Sequence, residues 1–141
     1  MDENDVHYLE KILTNETNEN ITSQTFQVID EKKREIIYEL ELLNASAKDL
    51  LKKLEEYRYI DEIPDLQVGR YIRWINLTNP EKIKLANGGI LCEIKIEDTV
   101  ILVLKNSINR FFQINMDENL VFQRLSEQER IILYAIDLAN K

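Results

Sequence analysis

The sequence predicts an α+β protein: a long coiled-coil-type helix, then a small five-stranded antiparallel barrel closed by a C-terminal helix. Three observations carry this expectation. Apolar residues recur in alternating steps of three and four from Phe26 to Tyr57. Short apolar runs separated by turn signals fill the stretch from Arg70 to Leu125, and Ser126 opens a capped helix.

The first element is the stripe Phe26, Ile29, Ile36, Leu40, Leu43, Ala47, Leu50, Leu54 and Tyr57, broken only by Lys33. It makes about four and a half heptads with no internal Pro or Gly. Such a stripe has to be covered, so these nine residues are read as an oligomerisation seam over 26–59. Asp30, Glu31 and Glu35 near its start and Lys52, Lys53 and Arg58 near its end follow the favourable direction of the helix dipole. Ile37 and Leu51 widen the stripe, and Lys53 would face Arg58 in a parallel pair. A helical hairpin, a trimer or packing on the chain's own domain therefore fits better than a parallel two-stranded zipper. Residues 1–25 form a polar, partly helical segment, with Val6, Leu9, Ile12 and Leu13 at helical spacing. Residues 60–68 are a linker, because Ile63 precedes Pro64 and leaves helical geometry.

Five strands are expected over 69–125. Arg70–Leu77 is rich in aromatic and branched residues, and Asn87-Gly88-Gly89 signals a turn. Ile90–Glu97 alternates, Val100–Lys105 is apolar on both faces and reads as the central strand, and Arg110–Met116 and Leu120–Leu125 follow. Over 126–141, Ser126-Glu127-Gln128-Glu129 is a capping box ahead of Ile131, Ile132, Tyr134, Ala135 and Leu138. Short strands at this spacing, closed by a helix, match a Tudor-like or Sm-like barrel.

Charge narrows the partners. The net charge is −8, and residues 1–64 hold 8 Lys+Arg against 16 Asp+Glu, while residues 65–141 hold 10 of each. An acidic half disfavours phosphate backbones and anionic membranes and suits a basic partner. No apolar run approaches the roughly 20 residues that span a bilayer, and no leader pattern is visible. A single cysteine, Cys92, leaves no intrachain disulfide and fits a reducing, intracellular compartment.

Chemistry is poorly supplied. One histidine, His7, and one cysteine cannot build a nucleophile–base pair or a tetrahedral zinc site. Cys92 reads as an inert residue on the apolar face of its strand. The acidic clusters Asp2-Glu3-Asp5, Glu55-Glu56 and Asp117-Glu118-Asn119 lack calcium-loop spacing. No catalytic residue, metal or cofactor is therefore expected. The candidate binding surface is Arg70, Tyr71, Arg73 and Trp74 with Asn87, Gly88 and Gly89, where guanidinium groups stand among aromatics. A peptide clamp is the first binding reading of this group, while Trp74, which shares a strand face with Ile72, reads as a core anchor. Base stacking with phosphate pairing is the second, drawing on Arg70, Arg73, Lys84, Lys95, Lys105 and Arg110.

Gly69-Arg70-Tyr71-Ile72-Arg73-Trp74-Ile75, Asn87-Gly88-Gly89, the VILVLKN run and Asn119-Leu120-Val121-Phe122 resemble a small domain in proteins of large nucleocytoplasmic DNA viruses. That resemblance implies a viral protein working in infected-cell cytoplasm or in the particle, and it carries no functional residue with it. Near Ile108–Gln113, where a tryptophan is common in that domain, this chain has Phe111-Phe112. The expected function is a non-enzymatic assembly protein: a homo-oligomer through the long helix, with a barrel that binds protein. The alternative is a nucleic-acid-binding accessory factor.

Overall fold

Six strands form one antiparallel sheet in the computed structural model, which describes residues 26–43 and 45–139. They are β1 (Tyr57–Ile60), β2 (Tyr71–Asn76), β3 (Gly89–Ile96), β4 (Val100–Lys105), β5 (Phe111–Asn115) and β6 (Asn119–Arg124). The order across the sheet is β1-β6-β2-β3-β4-β5. The sheet is open, with β1 and β5 as its edges, which corrects the expected five-stranded barrel.

The departure has two local causes. Tyr57-Arg58-Tyr59-Ile60, assigned from sequence to the helix end and linker, alternates with period two and pairs with β6, Tyr57 opposite Arg124 and Tyr59 opposite Phe122. That pairing occupies the side of β6 that a barrel would need for closure. The β5–β6 connection, in turn, is no hairpin. Met116–Glu118 winds into a 3₁₀ turn. Asn115 Oδ1 accepts from the Asp117 amide at 3.0 Å, and Asn119 Nδ2 donates to the Asn115 carbonyl at 2.8 Å. The chain thereby leaves β5 and enters the sheet beside β2.

The long coiled-coil helix is likewise corrected. Helix α1 spans Phe26–Glu39, a 3₁₀ turn covers Leu40–Leu43, and α2 spans only Ala47–Lys53. Ser46 holds an extended backbone and its Oγ accepts from the Asp49 amide at 3.4 Å, so a new helix is capped and started. The stripe is shared out, Phe26 and Ile29 to one small core and Ile36 to Leu54 to another, so two short amphipathic helices reproduce the spacing of a heptad seam. The C-terminal helix, α3, spans Glu127–Ala139 and opens on the expected capping box. The Ser126 amide donates to Glu129 Oε1 at 2.8 Å and the Glu129 amide donates to Ser126 Oγ at 3.0 Å.

The described residues divide into two compact units, 26–31 with 125–139, and Lys32–Arg124. In the first, Ile29, Leu125, Ile132 and Leu133 form a small core with Phe26 and Ile131 against it. In the second, both faces of the sheet are covered. Ile37, Leu40, Ala47, Leu50 and Leu54 pack on Ile75, Leu85, Leu120 and Phe122. Ile60, Leu66, Ile72, Leu91, Leu102, Leu104 and Val121 gather on the opposite face with Trp74 and Phe112. Burying a side chain such as Phe122 stabilises by about 1.5–3 kcal/mol. The seam residues are thus spent inside the chain: Ile29, Leu40, Ala47, Leu50 and Leu54 are buried, and Phe26, Ile36 and Tyr57 partly so. Leu43 lies in the 3₁₀ turn.

Lys33, the break in the stripe, is itself 5% exposed. Its Nζ donates to the Leu54 carbonyl at 2.9 Å and to the Tyr57 carbonyl at 3.1 Å, tying α1 to the chain between α2 and β1. The expectations for residues 1–25, including the short helix at Val6–Leu13 and the position of His7, lie outside the described residues.

Candidate interaction surface

Strand alternation divides the predicted Arg/aromatic surface. Tyr71 and Arg73 lie on the Ile75 side of β2, whereas Trp74 shares the other side with Ile72. Trp74 sits half-buried in the core, its ring centroid 5.9 Å from that of Phe112 in an edge contact. It is not part of a notch with the arginines. Tyr71 and Arg73 instead lace down the loop that precedes β3. The Tyr71 hydroxyl donates to the Asn87 carbonyl at 3.1 Å, and Arg73 Nε donates to the Ala86 carbonyl at 2.9 Å. Between them runs Gly88, at φ +106; a Cβ there would stand 2.6 Å from the Ile72 carbonyl oxygen and from Tyr71 Cε1. Only glycine fits that path. Gly89 begins β3 and pairs with Ile72, so the double glycine is packed beneath side chains and forms no ligand rim. Arg70 donates through Nη2 to Gln67 Oε1 at 2.9 Å and through Nη1 to the Arg124 carbonyl at 3.4 Å. These residues hold backbone in place.

Cys92 falls at the bulge in β3 between Leu91 and Glu93, half-buried, its Sγ 3.5 Å from the Ile90 carbonyl. Two polar side chains are buried where β1 meets β6, a burial that the sequence does not signal. Arg58 Nη2 stands 3.4 Å from Asp65 Oδ2. Gln123 accepts from the Gln67 amide at 2.8 Å and donates to the Asp65 carbonyl at 3.1 Å. Together they staple the segment after β1 to β6. Burial holds the Tyr57 hydroxyl above its usual range, with Arg73 and Arg124 pulling the other way.

The accessible surface lies elsewhere, at the β5 edge. The Asn106 amide donates to the Arg110 carbonyl at 2.9 Å, and β4 then pairs Leu104 with Phe112 and Leu102 with Ile114. Hydrogen-bonded and non-hydrogen-bonded pairs alternate along an antiparallel ladder. Phe112 and Ile114 therefore bond back to β4, while the amides and carbonyls of Phe111 and Gln113 turn outward. Neither has a partner among the described residues. The strand, FFQIN, carries no charge and no proline, the usual protections of an exposed edge. Phe111 is 64% exposed and Ile90 45%, both flanking Lys105, whose Nζ lies 5.8 Å from the Phe111 ring centroid. The sequence signal for this site was present: an uncharged apolar run between two polar turns.

No protein-family model, curated protein or solved structure matches the chain. Among the described residues, no helix is long and apolar enough to cross a membrane.

Proposed function

We propose that the protein is a non-enzymatic assembly module in which β5 pairs antiparallel with β5 of a second copy. The observation that carries this reading is the uncharged edge strand with outward backbone groups at Phe111 and Gln113 beside an exposed phenylalanine. Pairing centred on Gln113 sets Phe111 opposite Asn115 of the other copy. Such a contact uses the same patch twice and closes as a two-fold dimer. It replaces the long helix as the route to a homo-oligomer, since the helical stripe is already covered. On this reading the setting is the infected cell or the virus particle, and that part rests on the sequence resemblance of residues 69–125 alone.

Sedimentation velocity over a concentration series tests it. The wild-type chain is expected to pass from monomer to dimer, and Gln113→Pro, which removes an outward amide without touching the β4 ladder, is expected to stay monomeric. A wild-type chain that remains monomeric throughout, or a Gln113→Pro chain that associates equally well, contradicts the proposal.

One observation favours a second reading, nucleic-acid binding. Tyr71, Ile90, Lys105 and Phe111 form a row across β2 to β5, and Tyr57 and Arg124 pair on β1 and β6. Such alternation of cations and rings can stack bases. Against it, Arg124 is spent on Glu56 at 3.1 Å and Trp74 is turned into the core. Binding to single-stranded oligonucleotide that falls steeply with salt would favour this second reading.

A further inference from the structure

Two clefts adjoin at Tyr59 and Asp61, both of which line each of them. The first, of about 210 Å³, has an apolar floor of Ile60, Ile63, Val100 and Met116, with Asp61 and Asp117 on its rim. In the second, of about 270 Å³, Ile36 lies between Glu35 and Glu39, and Lys32 is the one cation on its lining. None of these four carboxylates is ion-paired among the described residues. Their field reaches the shared wall: burial first, then Asp61 and Glu39, holds the Tyr59 hydroxyl above its usual range.

Asn119 supplies an independent observation. It lines the first cleft, is only 7% exposed, and donates through Nδ2 to the Asn115 carbonyl, yet its buried Oδ1 has no donor among the described residues. A buried acceptor left this way is rare in folded proteins. The shape also restricts the occupant. Pockets for whole small molecules run to roughly 300–1,000 Å³. Each cleft here is smaller and suits one long side chain. Among the described residues no three His, Cys, Asp or Glu side chains come together as metal ligands.

We infer that these adjoining clefts are a docking site for a basic polypeptide segment of a partner protein, each taking one lysine or arginine side chain. The aliphatic stem lies on the apolar floor and the cation reaches the carboxylates, the division that long basic side chains adopt at any apolar–polar boundary. The Tyr59 ring, 5.7 Å from that of Phe122, gives the shared wall an aromatic face for the cation. The site is separate from the β5 edge, and its partner is a different molecule from a second copy of this chain.

Fluorescence anisotropy of a fluorescein-labelled oligolysine peptide against the full-length chain at low ionic strength tests the inference. Wild-type protein is expected to bind, and Asp61→Asn/Asp117→Asn to bind about tenfold more weakly. Glu97→Gln/Asp98→Asn, the same charge change in the β3–β4 turn, is expected to weaken binding no more than about twofold. Ile63→Arg, which places a cation of the chain's own at the first cleft, is expected to abolish binding at that cleft. Gln113→Pro should leave it intact. No binding at low ionic strength, or an equal loss in the two paired variants, overturns the inference, the latter by showing attraction to net charge alone.

Discussion

Replacing Lys33 by methionine isolates the contribution of one buried ammonium group. The methionine keeps the apolar stem and removes only the donor that reaches the Leu54 and Tyr57 carbonyls. Hydrogen bonds to charged groups contribute about 1.5–3 kcal/mol each. Two effects reduce the loss. The Leu54 carbonyl keeps the Tyr57 amide as a donor at 3.0 Å, and the unfolded state no longer regains the hydration of a lysine. The net destabilisation is expected at about 1–3 kcal/mol, a fall in Tm of about 3–9 °C for a chain of this size. Urea unfolding followed through Trp74, the single tryptophan, reads it directly, because that ring sits in the core of the same unit. Lys32→Met, one residue away and exposed, is the control and is expected to stay within about 0.5 kcal/mol of wild type. If Lys33→Met is as stable as wild type or more so, desolvation of the ammonium cancels what its bonds to the Leu54 and Tyr57 carbonyls contribute. The claim that Lys33 fastens α1 would then be refuted.

Three further outcomes are expected. Gly88→Ala should cost about 2–4 kcal/mol, because its Cβ meets backbone and ring at 2.6 Å at a positive φ, whereas Gly69→Ala, with φ +94 and open space, should cost about 1–2 kcal/mol; equal costs in urea melts would contradict the packing described. With Tyr59 held above its usual 10.0, the unfolded chain releases that proton first, so stability present below pH 10.0 is lost as pH rises towards the folded-state value. Tyr59→Phe should therefore show a shallower alkaline fall of the urea midpoint than wild type, and identical slopes would count against the burial of that hydroxyl. Deleting residues 1–64 strips β1 from β6 and the helical cover from Leu120 and Phe122, and should abolish the cooperative thermal transition in near-ultraviolet circular dichroism; a truncated chain that melts cooperatively would show the sheet to be self-sufficient.

Where local chemistry decided the outcome, the sequence was readable. The capping box at Ser126 and Glu129 needs only four residues to be recognised, and β2 to β6 stand out as short apolar runs separated by turn signals. The helical region misled because a heptad count cannot distinguish one long helix from two short ones packed on cores within the chain. The break was nonetheless marked, by Ser46 with Asp49 three residues on, an N-cap pattern inside the supposed seam. Tyr57 served both readings, as the last seam residue and the first of β1, so β1 was absorbed into the helix. Closure of the sheet was not legible at all, since it depends on which side of β2 the chain enters after Asn119, a choice made by long-range pairing. At the surface, the residue types at Arg70–Trp74 were suggestive, but their partners are backbone carbonyls of a loop, which no spacing rule reveals. Phe111–Asn115 lies within the expected strand Arg110–Met116, but its place at a sheet edge was not legible, because strand order is invisible until all six strands are placed.

Amide hydrogen exchange at Phe111 and Gln113, recorded at low and at high protein concentration, measures the proposed pairing most directly. Both amides point away from β4, so they should exchange rapidly in dilute solution and slow markedly as concentration rises, while those of Phe112 and Ile114 stay protected in both. Rapid exchange of Phe111 and Gln113 at every concentration would contradict assembly through this edge.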